Sequence, residues 1–363
     1  MKNIHNVKIA KDVLYLAEKG ELGFWHSAKG SVSPASTFSW FDLGTILPAG
    51  GELVDIATYT LDGGDGPDDF TAFVASTGWV ALYRGSDPAD ATDWSIIGRY
   101  NLGQALGKRC TMEIAGDVVV LTVNGYISLA QFIQIGGLSR QSFAFNDLIQ
   151  QEVVRQTLDY KGEFGWQAIL VPNLTLALFN VPQSSNNFVQ HVVNTQTSAW
   201  ARTKKWNGLC WLNTSQNLFF GTADGKVIDA NVGDTDVGGL EIEGDGITAF
   251  SYMGQRGVRK LWQMYRPILE TAGNVSIRMA LPVDFDLDSS LGPARAVPLE
   301  NAATWNVDEW NVSNWGGAAS TTTNWLTIGK LGYAAAIRLN VVSTGQLCRW
   351  KSADISYTLG GLL

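Results

Sequence analysis

Apolar and polar residues alternate in short runs along most of this chain, and polar turns separate the runs. Val13 and Tyr15, then Leu22 and Phe24, alternate on either side of Lys19-Gly20, which predicts a hairpin within 7–25. The same strand–turn–strand unit recurs around Thr77-Gly78, Asn124-Gly125 and Asp224-Gly225. Asn-Gly and Asp-Gly suit two-residue hairpin turns, whose central residues need positive φ. The four glycines stand about fifty residues apart with one interval doubled, and the unmarked unit falls at Leu170–Leu178, where Pro172-Asn173 supplies a turn. A period of about 40–50 residues holding several strands is that of a propeller-like array.

The pattern elsewhere agrees. Residues 53–61, 70–83 and 95–101 read as strands, and 109–129 as a strand pair with Val118–Leu121 as a buried inner strand. One segment breaks the rhythm. From Asn146 to Lys161, Leu148, Ile149, Val153, Val154 and Leu158 recur at helical spacing behind an Asn146 cap, which predicts a surface helix joining two blades. Gly and Asp cluster at 233–246, and the remainder alternates again, as in Val275–Leu281, Ala336–Val342 and Ile355–Leu359. The expected fold is all-β. A β-propeller-like array of about five hairpin-based blades covers 1–240, with one surface helix near 146–161, and a C-terminal β-sandwich covers 241–363.

Composition narrows the function classes. A net charge of −8 argues against a uniformly basic nucleic-acid binder. Cys110, Cys210 and Cys348 lie far apart without a CxxC pair, so they read as buried small hydrophobes in a reducing compartment. Met1–Asn6 lacks the apolar core of a signal peptide, and no apolar run approaches membrane-spanning length. The expectation is a soluble protein made in a cytoplasm.

Several stretches carry a resemblance. They are Leu61-Asp-Gly-Gly-Asp-Gly-Pro-Asp-Asp69, Val80-Ala-Leu-Tyr-Arg-Gly-Ser-Asp-Pro88 with Trp94, and Gly116-Asp-Val-Val-Val-Leu-Thr-Val-Asn-Gly-Tyr126. Further along come Phe164-Gly-Trp-Gln-Ala168, Leu178-Phe-Asn-Val-Pro182, Val193-Asn-Thr-Gln-Thr-Ser-Ala-Trp200 and Tyr265-Arg-Pro267. In this order, over about residues 12–270, the chain resembles the tail-hub or nozzle proteins of short-tailed bacteriophages. The resemblance implies a homo-hexameric ring below the portal and head–tail adaptor, which anchors tail fibres or spikes and passes double-stranded DNA. It implies a virion (tail) location, with assembly in the host bacterial cytoplasm. The first hairpin starts close to Met1, whereas the family is longer there, so a neighbouring subunit is expected to complete the propeller.

Chemistry-bearing candidates are few. Asp62, Asp65, Asp68 and Asp69 fall within one glycine-rich turn, which reads as a solvated turn between blade strands. Calcium is the alternative, because it takes carboxylate oxygens from flexible loops, but no closing Glu completes an EF-hand. Trp305, Trp310 and Trp315 recur five residues apart and share no helix or strand face. They either anchor a long loop or present indoles to a subunit, an adaptor or a sugar.

Two basic runs precede tryptophans: Arg202, Lys204 and Lys205 before Trp206, and Arg256, Arg259 and Lys260 before Trp262. In an acidic chain they suit acidic partners at an interface better than nucleic acid. His5, His26 and His191 are too dispersed for a metal site or triad, and Asp286 and Asp288 read as solvent-facing positions on one strand face. No nucleophile elbow, zinc-protease or P-loop motif is present. No cofactor is expected. These readings favour a non-enzymatic structural hub; the alternative is a carbohydrate-binding or host-receptor-recognising propeller.

Overall fold

The computed structural model describes the chain except residues 1–2, 32–36, 63–66, 135–144, 231, 234, 237–238, 272–274, 298–319, 323, 347 and 361–363. It divides into two compact units, Met1–Asn231 and Val232–Leu363. The fold is all-β and propeller-like in its first unit.

Five small antiparallel sheets follow one another along the first unit, each built from consecutive strands. Blade 1 holds β1 (Ile4–Ala10), β2 (Val13–Glu18), β3 (Gly23–His26) and β4 (Ser39–Asp42). Blade 2 holds β5 (Leu53–Asp62), β6 (Pro67–Ala75), β7 (Trp79–Arg84) and β8 (Ser95–Asn101). Blade 3 has three strands, β9 (Thr111–Ile114), β10 (Asp117–Thr122) and β11 (Gly125–Ser128). Blade 4 holds β12 (Gln167–Val171), β13 (Leu176–Ser184), β14 (Asn187–Asn194) and β15 (Trp200–Lys204). Blade 5 holds β16 (Cys210–Asn213), β17 (Leu218–Gly221) and β18 (Val227–Ala230). The first strand of each blade lies beside the first strand of the next, from β1 through β5, β9 and β12 to β16. The last strands β4, β8 and β15 are largely exposed, so the first strands are inner and the last are outer.

Alternation along the strands builds the contacts between blades. Val13, Tyr15 and Ala17 of β2 and Phe24 of β3 are buried with Phe73, Ala81 and Tyr83 of blade 2. A second cluster joins blades 2, 3 and 4, and a third joins blades 4 and 5 through Val171, Leu178, Trp211 and Phe220. Fully burying one such large side chain stabilises the fold by about 1.5–3 kcal/mol, so these clusters supply most of the cohesion.

The four glycine hairpins all join the second and third strands of a blade, but in blade 3 the two turn residues are Val123-Asn124 rather than Asn124-Gly125. Gly20, Gly78 and Gly225 lie between the second and third strands of their blade, while Gly125 is the first residue of the third strand β11, paired with Thr122; their φ values are +85°, +84°, +80° and +114°. At Gly78 space is also decisive, because a Cβ would sit 1.7 Å from the Gly103 carbonyl oxygen.

Several expectations need correction. The unmarked repeat is not turned at Pro172-Asn173. That 3₁₀ turn joins β12 to β13, whereas the blade-4 equivalent of the glycine turns is Ser185-Asn186, between β13 and β14. Val118–Leu121 is buried, but as the middle strand of blade 3 rather than the inner one. A short helix α1 (Leu129–Gln134) was not anticipated.

The expected helix is a 3₁₀ turn at Asp147–Ile149 followed by α2 (Gln150–Tyr160), and it does join blades 3 and 4. Its buried face is Val153, Gln156 and Thr157, while Leu148 and Leu158 are exposed. Thr157 explains this choice, since its hydroxyl bonds the Val123 carbonyl at 3.0 Å. Asn146 makes no capping bond; its Oδ1 accepts from Tyr126 N (2.9 Å) and its Nδ2 donates to Gln150 Oε1 (2.6 Å). The side chain therefore supports the Asn124-Gly125 hairpin instead of the helix.

The second unit is a β-sandwich. One sheet has the order β19 (Ile242–Ile247), β25 (Arg338–Ser343), β21 (Val275–Ala280), β22 (Arg295–Val297). In the other, β20 (Lys260–Thr271) pairs on one side with β26 (Cys348–Leu359) and on the other with β23 (Ser320–Thr322) and β24 (Leu326–Gly332). Trp262, Tyr265 and Leu269 of β20 share one core with Ile277, Met279 and Leu339 of the facing sheet. Asp286 and Asp288 lie in the connection after β21, not on a strand, and the Asp286 carboxylate accepts the Asp288 backbone N–H at 3.1 Å.

Candidate functional site

Polar side chains from three inner strands meet where blades 1, 2 and 3 adjoin. Asn6 on β1 donates from Nδ2 to Asp55 Oδ1 on β5 at 2.7 Å. Oδ1 also accepts Ile56 N–H at 3.0 Å, while Oδ2 accepts Thr111 N–H (2.9 Å) and Oγ1–H (2.7 Å) on β9. Beside it, Glu113 Oε1 accepts from Lys8 Nζ (2.6 Å), Thr58 N (2.6 Å) and Thr58 Oγ1 (2.7 Å). Burial pushes the Asp55 carboxyl above its ordinary value despite four donors. Burial also acts upward on Glu113, but the Lys8 and Thr58 donors outweigh it and hold the group below the usual range. Both carboxylates are thus committed to donors within the chain, and the network staples three blades together.

Sequence reasoning missed Asn6, Asp55, Thr111 and Glu113. A signal existed for Asp55, a lone carboxylate inside the apolar run Leu53–Tyr59, since buried charge needs partners.

The two ends of the blade stack are largely apolar and uncovered. On blade 1, Val7 and Ile9 of β1 pair with Leu16 and Leu14 of β2, and Leu16 continues to Trp25 and Trp40. Directly paired residues share a sheet face, and this face turns away from the blade 2 core. Val7 and Ile9 are 57% and 63% exposed. On blade 5, Cys210 lines up with Gly221 and Val227, and Leu212 with Phe219 and Asp229, whose carboxylate is the one charged group in these rows, opposite the face that buries Trp211. Leu212 and Val227 are 61% and 74% exposed. Among the described residues, buried clusters join consecutive blades, and none joins blade 5 to blade 1. Cys210, expected to be buried, is exposed on the blade 5 face, while Cys110 is buried and Cys348 intermediate.

The remaining candidates are scattered. Lys260 is fully buried, and its ammonium bonds the carbonyls of Gln255, Val258 and Tyr333 at 2.6, 3.0 and 3.2 Å. Its charge closes loops within the unit and is not presented at a surface. Arg256 and Arg259 are exposed, and Arg256 stacks 5.2 Å from the Tyr252 ring centroid. Trp305, Trp310 and Trp315 lie outside the described residues, as do Asp65 and the side chains of Asp62, Asp68 and Asp69. Among the described residues no group of three or more His, Cys, Asp or Glu could hold a metal ion. None of the described helices is long and apolar enough to cross a membrane. The Arg202–Lys205 run borders a cleft on blade 4, which also includes Gln183, Asn187, Val189 and Asn207.

No family model matches this chain, and no curated protein matches it. Similar solved structures include a glycoside hydrolase family 43 arabinoxylan arabinofuranohydrolase from Bacillus subtilis, at 9% identity and TM-score 0.29, over 97% of this chain and 95% of that one. Another is a Trypanosoma rangeli sialidase, at 8% identity and TM-score 0.29, over 93% of this chain and 81% of that one. Likeness at that TM-score does not bear on function.

Proposed function

We propose that this chain is a non-enzymatic structural component of a virion: a tail hub or nozzle of the short-tailed bacteriophage kind, whose copies close into a ring around a passage for DNA. The observation that supports this reading is the pair of uncovered, largely apolar faces at opposite ends of the blade stack. Each inner blade of the array buries both faces against its neighbours, so the natural cover for a terminal face is another blade. The blade 1 and blade 5 faces differ, and a contact between unlike faces is head-to-tail, which closes into a ring when the rotation per copy allows. The resemblance in motif order supplies the expected copy number of six, the portal and adaptor above, and fibres or spikes at the side. A net charge of −8 suits a passage that must not hold phosphates, because each added cation contact raises affinity for DNA.

Light scattering on the purified full-length chain, with negative-stain images of the same fraction, tests the proposal. Rings of about six copies with a central hole support it. A monomer at all accessible concentrations, with no ring on added adaptor, overturns it. The second reading, a propeller that recognises host carbohydrate, draws on the blade 4 cleft.

A further inference from the structure

We infer that the blade 4 cleft is a binding site for an acidic oligosaccharide, one carrying carboxylate, sulfate or phosphate groups. This goes beyond the ring reading and does not depend on it. The cleft, of about 480 Å³, lies between the β13–β14 hairpin and the outer strand β15, at the periphery of the blade. Among the described residues its charged side chains are cations, Arg202 and Lys204 two residues apart on β15 and Lys205 just beyond it; Lys205 is already engaged within the chain, so Arg202 and Lys204 are the charges offered to a ligand.

The uncharged polar groups are oriented by bonds within the blade. Asn187 Nδ2 donates to Gln183 Oε1 at 3.1 Å, and Phe188 N–H donates to Asn207 Oδ1 at 3.3 Å. These bonds occupy the side-chain oxygens of Gln183 and Asn207 and turn their amide nitrogens into the available ends. The carboxylate beside Arg202 is also occupied, since Glu152 Oε1 takes Arg155 and Gln156 at 2.8 and 2.6 Å and stands 3.7 Å from Arg202. A guanidinium with five donors therefore retains several for a ligand.

The backbone is bent to form the cleft wall. Lys205 holds φ at +73°, a left-handed conformation that costs a bulky residue energy and persists where the surroundings impose it. Two tight turns follow, Asn207 N–H to Lys205 O at 3.1 Å and Gly208 N–H to Trp206 O at 2.8 Å.

The chemistry selects among polyanions. Single-stranded nucleic acid is held by aromatic platforms as well as cations, and among the described residues no aromatic side chain lines this cleft. Duplex DNA needs an extended run of phosphate contacts, which an acidic chain with one local basic cleft does not offer. Cations interspersed with amides match a sugar chain, whose acidic groups take the charges and whose hydroxyls take the amides.

The test is titration calorimetry of the full chain with a heparin-derived hexasaccharide and with trigalacturonate. Neutral maltohexaose and a short DNA duplex are the controls, all at about 0.05 and about 0.3 M salt. At least one acidic sugar should bind and weaken with salt, and neither control should match it. The Arg202→Gln/Lys204→Gln double variant should bind it at least about tenfold more weakly. Both side chains are exposed on an outer strand, so its melting curve should stay unchanged; Lys204→Gln alone should give a smaller loss in the same direction. The inference is overturned if neither acidic sugar binds, if the folded double variant binds as well as the parent, or if the duplex binds more tightly than the sugars.

Discussion

The phenolic Oη of Tyr126, on the third strand of blade 3, lies 2.9 Å from Nδ1 of His191 on the third strand of blade 4. Both side chains are buried, and the Tyr126 ring stacks on Phe179 at 4.1 Å between centroids. Burial raises the Tyr126 pKa, so the phenol remains protonated. The imidazole tautomer sets which of the two groups donates, and Nε2 has no partner among the described residues. The pair thus forms a polar contact inside an otherwise apolar seam between two blades.

A dependence of stability on pH follows. Burial lowers the His191 pKa to about 4; Arg202 acts the same way, and Glu152 opposes it. In the unfolded chain the ring takes its proton near pH 6.5, so on acidification the unfolded state binds protons first. His191 therefore imposes no penalty above about pH 6.5, an increasing one as pH falls towards 4, and no further loss below that. The whole step amounts to about 3 kcal/mol. Chemical denaturation of the parent and of His191→Phe between pH 7 and 4 measures it, and the parent should lose more stability than the variant. Parallel curves would contradict the assignment. At neutral pH, Tyr126→Phe should cost about 1–3 kcal/mol, because it leaves Nδ1 buried and unpaired.

Asp55 should be among the most sensitive polar positions. Asp55→Ala leaves the Thr111 and Ile56 N–H groups without this acceptor in the interior, and the Asn6 amide keeps only its longer bonds to the Val54 and Lys108 carbonyls at 3.3 and 3.4 Å. Removing one side of a buried charged network costs about 3–5 kcal/mol. Thr111→Val removes one donor from the same carboxylate and should cost about 1–2 kcal/mol. Thermal melts of the two variants should keep that order; an Asp55→Ala chain that melts like the parent would remove the network from the account of blade cohesion.

Two glycines separate conformational strain from steric conflict. Gly225 has φ of +80° and open space around its missing Cβ, so Gly225→Ala should cost only the left-handed conformation, about 1–2 kcal/mol. Gly78 has nearly the same φ, but a Cβ there would collide with the Gly103 carbonyl. Gly78→Ala should cost at least about 1–3 kcal/mol more, since backbone on both sides must shift. Equal losses, read from denaturant midpoints, would mean that the two hairpins yield alike.

These positions also mark how far the sequence was legible. The glycine hairpins were readable because positive φ in a tight turn selects few residue types, and all four join the second and third strands of a blade, with Gly125 displaced by one residue into β11. The blade 4 turn was missed because Ser185-Asn186 lacks such a signature, while Pro172-Asn173 offers one at the wrong strand connection. The helix was placed but its face was misread, since Gln156 and Thr157 are buried, with Thr157 bonding the Val123 carbonyl, while Leu148 and Leu158 remain outside. The Asn6–Asp55–Thr111 network joins residues from three blades, and no local periodicity encodes such a meeting. Exposure of the blade 1 and blade 5 faces was equally hidden, because alternation tells which residues share a face but not whether anything covers it.

Blocking those faces one at a time tests the head-to-tail contact directly. Ile9→Glu places a charge on the blade 1 face and leaves blade 5 intact, whereas Leu212→Glu does the reverse. Both positions are exposed within the chain, so each variant should fold like the parent. A charge forced into an apolar contact is costly enough to prevent it, so each variant alone should stay monomeric. Mixed together, they retain one usable blade 5 face and one usable blade 1 face between them. A head-to-tail contact then permits a one-to-one dimer and nothing larger, because both outer faces of that dimer are blocked. A like-to-like contact would instead let at least one variant dimerise alone. Light scattering on the separate and mixed variants distinguishes the two: a heterodimer supports the ring geometry, and a homodimer of either variant refutes it.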